Sequence, residues 1–118
     1  MTKQRDPKIT IQEIILACEN AIQFVEGMAF DQFLKDVKTL SAVQHQILIL
    51  GEDVKRLPDE IKGKYPDIPW KNIAGTRDVL IHCYEEADFE IIWNIVIEQL
   101  PKLTPQFQSI LSGLKRSS

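Results

Sequence analysis

The sequence predicts an all-α helical bundle, and three observations carry that expectation. Apolar residues recur at three- and four-residue spacing along most of the 118 residues. Proline, glycine and capping residues fall between those stretches, where helices would start and stop. No alternating apolar/polar run is bounded by turn signals at both ends, so strands are not expected. These patterns fit four to five main helices with short pieces between them. The length suits one domain over residues 1–118 with a single core.

The elements follow in chain order. Asp6-Pro7 reads as an N-cap with proline at the first helical position. Ile11, Ile14, Ile15, Cys18, Ile22 and Val25 then form one apolar stripe, and Gly27 weakens the helix near its end. "FDQFLKDV" predicts a short helix. A longer one follows, with Leu40, Val43, Ile47, Leu50, Val54 and Leu57 inward. Pro58, Gly63, Pro66 and Pro69 interrupt the next stretch; Pro58 can start a short helical turn, and Pro66 to Pro69 reads as a rigid connector. A helix is expected from Trp70 to about Glu85. Asp88 reads as the next N-cap, ahead of a stripe of Phe89, Ile92, Trp93, Val96, Ile97 and Leu100. Pro101 and Pro105 are expected to kink or split the last helical stretch, with Thr104-Pro105 as a fresh cap. The tail "LKRSS" is expected to fray.

Composition narrows the function. Hydrophobic residues make up 44% and charged residues 26%, which is ordinary for a globular protein. The start, "MTKQRDPK", lacks a secretory pattern, and no apolar run approaches the ~20 residues that span a bilayer. No membrane role is expected. Cys18 and Cys83 make neither a disulfide framework nor a metal pattern, so a reducing cytoplasm is the default expectation, with no metal or cofactor implied. The net charge of −3 offers no global attraction for nucleic acid. Any such contact must come from a local cluster or a surface shared between subunits.

One run stands out, "RDVLIHCY", Arg77 to Tyr84. On an ideal helix from Trp70 to Glu85, advancing roughly 100° per residue, Ile73, Val79, Leu80 and Cys83 face the core. Asp78 and His82 share the other side, four residues apart. Arg77 and His82 lie about 140° apart and do not meet on one helix. The non-core face also carries Trp70, Ala74 and Ile81, an apolar line that suggests a contact surface. A two-fold dimer through that surface would bring Arg77 of one subunit towards His82 of the other.

The residue types suit metal-independent RNA cleavage. Arginine forks onto phosphate oxygens, histidine moves protons near neutral pH, and Asp78 could orient the imidazole. The 2′-hydroxyl would attack phosphorus, which DNA cannot do. The plain alternative is a wet helix face: Asp78 and His82 as an ordinary surface pair, and Tyr84 at the core edge with its hydroxyl in water. His45 reads as a solvated or packed histidine, Cys83 as a small buried hydrophobe, Trp93 as packing and Glu52 as a polar residue on a long helix.

Arg77, His82 and Tyr84 spell Arg-x4-His-x-Tyr, which resembles the signature of HepT-like proteins in the HEPN superfamily. The context "IPWKNIAGTRDVLIHCY" with "DFEIIW" after it, and "RDPKITIQEIILACENAIQFVEGM", "FDQFLKD" and "LILGEDVKRLP" before it, extends the resemblance over nearly the whole chain. Glu52 matches a family position. The chain departs from many relatives at Asp78, where they have Asn, and at Glu85 and Glu86, which follow the tyrosine. The resemblance implies a homodimeric HEPN ribonuclease toxin with Arg77 and His82 as catalytic residues at a shared cleft. It also implies an MNT-type nucleotidyltransferase antitoxin that attaches AMP to Tyr84. The alternative within that resemblance is a non-catalytic HEPN module that binds a nucleotide or a protein partner.

Overall fold

The Asp6 carboxylate starts the first helix by accepting the Lys8 N–H at 2.9 Å, and Pro7 occupies the first helical position. The computed structural model describes residues 5–83 and 85–117. Helix α1 (Pro7–Phe24) buries Ile11, Ile14, Ile15, Ala17, Cys18 and Ala21 along one stripe. Each fully buried isoleucine contributes about 1.5–3 kcal/mol, so this stripe anchors the bundle. Gly27, at φ +79°, turns the chain into α2 (Phe30–Lys35). Asp36 then caps α3 (Val37–Arg56) by accepting the Thr39 N–H at 3.0 Å. Val43, Ile47, Leu50 and Val54 point inward from α3, with Leu57 buried just after it and Leu40 half-buried. α1 and α3 make the most extensive helix–helix contact in the fold. After Pro58 comes a short α4 (Asp59–Lys64).

The expected helix from Trp70 to Glu85 is two short helices, α5 (Trp70–Ala74) and α6 (Thr76–Ile81). The break is at Gly75. The Thr76 hydroxyl donates to the Ile73 carbonyl at 2.6 Å, competing for the oxygen that a continuing helix would use. The break also lets the chain lie close on α3. A Cβ on Gly51 of α3 would stand 3.5 Å from Thr76 Oγ1 and 3.6 Å from the Ile73 and Ala74 carbonyls.

Two further expectations are corrected in the C-terminal half. The cap of α7 (Glu86–Asn94) is Glu85, and Asp88 sits three residues in, its carboxylate accepting the Glu85 N–H at 3.0 Å. Pro101 and Pro105 do not split the last stretch. A π-helical turn over Ile95–Gln99 leads directly into α8 (Leu100–Ser117). The wider turn makes room before Pro101, whose ring would press on the carbonyl four residues back in a regular α-helix. Thr104 is consequently no cap; it is buried inside α8 and its hydroxyl donates to the Leu100 carbonyl at 2.7 Å. The π-turn also shifts the stripe, so Ile95 is buried and Ile97 is exposed.

Trp93 clamps α7 onto α2 through Phe33 at 5.1 Å and Phe30 at 6.0 Å. α8 lies against α1 and closes the core with Leu103, Phe107 and Ile110. Among the described residues there is no strand, and the fold is all-α. No helix among them is long and apolar enough to cross a membrane.

Candidate functional site

Arg77 sits in the first turn of α6 with its side chain 45% exposed. Its Nη1 lies 3.7 Å from Oε1 of Glu52 on α3, an ion pair too long to be a tight charge-assisted hydrogen bond. The two helices meet there beside Gly51, the neighbour of Glu52, against which the α5–α6 backbone packs. Beside the pair is a surface concavity of about 330 Å³ lined by Gln44, His45, Leu48, Arg77, Leu80 and Ile81. It places an imidazole, His45, next to the arginine. Periodicity on one helix could not reveal this; the available signal was that His45, Leu48 and Glu52 share the outward face of α3.

His82 ends α6. Its backbone N–H donates to the Asp78 carbonyl at 3.3 Å, and its side chain is exposed. It does not line the Arg77 concavity. The expected Asp78–His82 side-chain contact is absent: among the described residues, no hydrogen bond or ion pair joins them. α6 ends at Ile81, so the helical register that would stack the two side chains stops at His82. Tyr84 lies outside the described residues.

The expected apolar outer line is also redrawn. The Trp70 indole N–H donates to the carbonyls of Lys62 and Tyr65, at 3.1 and 3.0 Å, and its ring packs on Phe107 at 5.9 Å. Trp70 therefore belongs to the chain's own packing, because its indole finds both its polar and its apolar partners there. Ala74 is half-buried against the core. Of the three, only Ile81 is open, at 52% exposure. It has apolar company elsewhere, since Ile9 and Leu16 on α1 are 46% and 57% exposed. Leu48 and Ile49 on α3 line a second concavity with Glu13 of α1.

Burial pushes the Cys18 thiol up to about 12. Burial and then the Asp88 carboxylate raise that of Cys83, which makes both poor nucleophiles. Among the described residues, no group of three or more His, Cys, Asp or Glu is placed to hold a metal ion.

Comparisons with known proteins agree with the family that the sequence resembles. The family described as "Ribonuclease HepT-like" matches residues 14–110. The chain belongs to this family. A protein of Methanocaldococcus jannaschii named "Putative RNase" is 38% identical over 112 residues, covering 95% of this chain and 93% of that protein. Another of that printed name, from Caldanaerobacter subterraneus subsp. tengcongensis, is 38% identical over 111 residues, covering 94% and 99%. A "Probable ribonuclease HepT" of Thermococcus cleftensis is 36% identical over 107 residues, covering 91% and 97%. No solved structure matches the HepT-like chain.

Proposed function

We propose that this HepT-like chain is a metal-independent endoribonuclease that acts as a homodimer. The observation that carries the reading is Arg77, an exposed guanidinium held only by a 3.7 Å pair with Glu52, in a chain of the ribonuclease HepT-like family. A phosphate can displace so loose a partner. In the reaction, the 2′-oxygen bonds to phosphorus while the bond to the 5′-oxygen breaks. His82 takes the proton from the 2′-hydroxyl and delivers it to the leaving 5′-oxygen, and Arg77 stabilises the charge that builds on the phosphate. Asp78 contributes through the local field rather than by contact. The supporting sign for a dimer is the exposed apolar side chains, Ile81 on α6 and Ile9 and Leu16 on α1, which a second copy would cover.

The family resemblance further suggests a toxin held in check by a nucleotidyltransferase antitoxin. AMP on Tyr84, two residues after His82 in the sequence, would add negative charge and bulk and so repel RNA. One observation favours the second reading, a non-catalytic module: the Glu52 carboxylate already neutralises Arg77.

A mixing experiment decides. Arg77→Ala and His82→Ala chains should each fail to cleave single-stranded RNA while remaining folded. Mixed in equal amounts and allowed to exchange, they should regain about a quarter of wild-type activity. Half of the dimers are then mixed, and each of those carries one intact cleft. Wild-type inactivity supports the module. Activity in either single variant, or no recovery on mixing, refutes a shared Arg77–His82 site.

A further inference from the structure

The π-turn after α7 decides which side chains share a face. In this turn the Leu100 N–H reaches back five residues to the Ile95 carbonyl, so the chain takes in an extra residue. Asn94, Glu98, Gln99, Lys102 and Gln106, most of them four residues apart, open onto one concavity of about 670 Å³. Asn72, from α5, stands on its other wall. Buried Leu103 and the ring of Pro69 supply the apolar part of the lining.

The chemistry of that lining is specific in kind. Four carboxamide residues, Asn72, Asn94, Gln99 and Gln106, line it. The carboxamides of Asn72, Asn94 and Gln99 make no hydrogen bond among the described residues. Gln106 Nε2 donates to the Lys102 carbonyl at 3.2 Å, which leaves its amide oxygen as an acceptor. Glu98 and Lys102 form no ion pair among the described residues. Each carboxamide offers a donor and an acceptor side by side, the pattern that matches the edges of nucleobases. One cation beside one carboxylate makes a poor phosphate trap, but Lys102 can hold a single backbone phosphate while Glu98 accepts from an amino group. A carboxylate only accepts, so it selects bases with an exocyclic amine. It disfavours uracil, whose single N–H is flanked by two carbonyl oxygens. The volume holds a base with its ribose.

We propose that this concavity is a base-binding subsite for an unpaired, amino-bearing base of single-stranded RNA. The RNA origin of the ligand rests on the ribonuclease reading above; the preference for an amino-bearing base rests on the lining alone. Asn72 on α5 precedes Arg77 on α6 by five residues, across the break at Gly75. A base held there would set which nucleotides reach the arginine.

The test uses the full chain with CMP and UMP, which differ at the amino group, and then with oligo(C) and oligo(U). The readout is the side-chain NH2 signals of Asn72, Asn94 and Gln99 in 1H–15N spectra, which do not depend on cleavage. Those signals should shift with CMP at about tenfold lower concentration than with UMP. Oligo(C) should bind more tightly than CMP at the same signals. Asn94→Ala combined with Gln99→Ala, both exposed positions, should weaken CMP binding about tenfold. Glu98→Gln should abolish the preference over UMP. Unmoved carboxamide signals, equal affinity for CMP and UMP, or CMP binding without oligo(C) binding each overturn the subsite. If CMP and oligo(C) bind as expected but no RNA is cleaved, the subsite stands and the ribonuclease reading falls. If RNA is cleaved with these signals unmoved, the reverse holds.

Discussion

Arg77 has two neighbours that its own helix does not supply, Glu52 at 3.7 Å and His45 in the same concavity. They imply different kinetic signatures. His45 can help to hold the incoming phosphate without moving a proton, so His45→Ala should raise KM for RNA several-fold and leave kcat nearly unchanged. His82→Ala should instead lower kcat by about 10²–10⁴-fold, the usual worth of a general acid or base. Steady-state kinetics on one short RNA separates the two, and the opposite split would move the proton-transfer role to His45. The run from Arg77 to Tyr84 was legible because its residues are close in sequence and their types suit phosphate chemistry. His45 and Glu52 were not, since both sit far upstream on α3. Periodicity says that a residue faces outward and leaves open which other helix stands beside it. The Asp78–His82 contact failed for a local reason: α6 ends at Ile81, and the stacking assumed for an unbroken helix does not extend to His82.

The helices with clean caps and regular stripes, α1 and α3, were readable because a local carboxylate and a single buried face determine each of them. The break at Gly75 and the unbroken path through Pro101 and Pro105 depend on tertiary packing, and local propensity misjudged both. On either side of Gly75, the α5–α6 backbone at Ile73, Ala74 and Thr76 lies against Gly51 of α3. A Cβ there would make ordinary contacts, at 3.5 Å to Thr76 Oγ1 and 3.6 Å to two carbonyls. Gly51→Ala should therefore fold normally and gain up to about 1 kcal/mol from better helix propensity. Gly51→Leu has no such room; it should wedge α6 away from α3 and cost about 1–3 kcal/mol. It should also displace α6 and with it Arg77, so RNA cleavage should fall even where the variant remains folded. Urea denaturation of both variants, with cleavage assays at a temperature where each is folded, checks the pair of expectations. A destabilised Gly51→Ala would mean that the two backbones pack more tightly than these distances allow.

Across the whole molecule, one charge network ties the start of the chain to the centre of the bundle. Arg5 forks onto Glu13 of α1, with Nη1 donating to Oε2 at 3.0 Å. Arg5 and Arg56 each reach Asp53 of α3 at 3.7 Å. Asp53 is 2% exposed, and its Oδ2 has no hydrogen-bond partner. Burial first, and then the neighbouring Glu13 carboxylate, push the Asp53 carboxyl up from 3.8 to about 6. Between those values the folded protein holds a proton that the unfolded chain releases. The stability due to Asp53 is therefore complete below about pH 3.8 and declines as the pH rises through about 6. Glu13 works in the opposite sense. Its hydrogen bond with Arg5 lowers its carboxyl below 4.5, so its contribution is present above that pH and is lost as the solution becomes more acidic. The downward slope between about pH 4 and 6 thus belongs to Asp53. Asp53→Asn keeps the shape and a donor towards Glu13 but cannot ionise. Denaturant unfolding at pH 4.5, 5.5 and 7 should show that slope flattened in the variant, with a gain on the order of 1–3 kcal/mol at pH 7. If the variant instead loses stability at pH 7, the attraction of Arg5 and Arg56 for the ionised Asp53 outweighs its burial, and the network is a net stabiliser of the charged form.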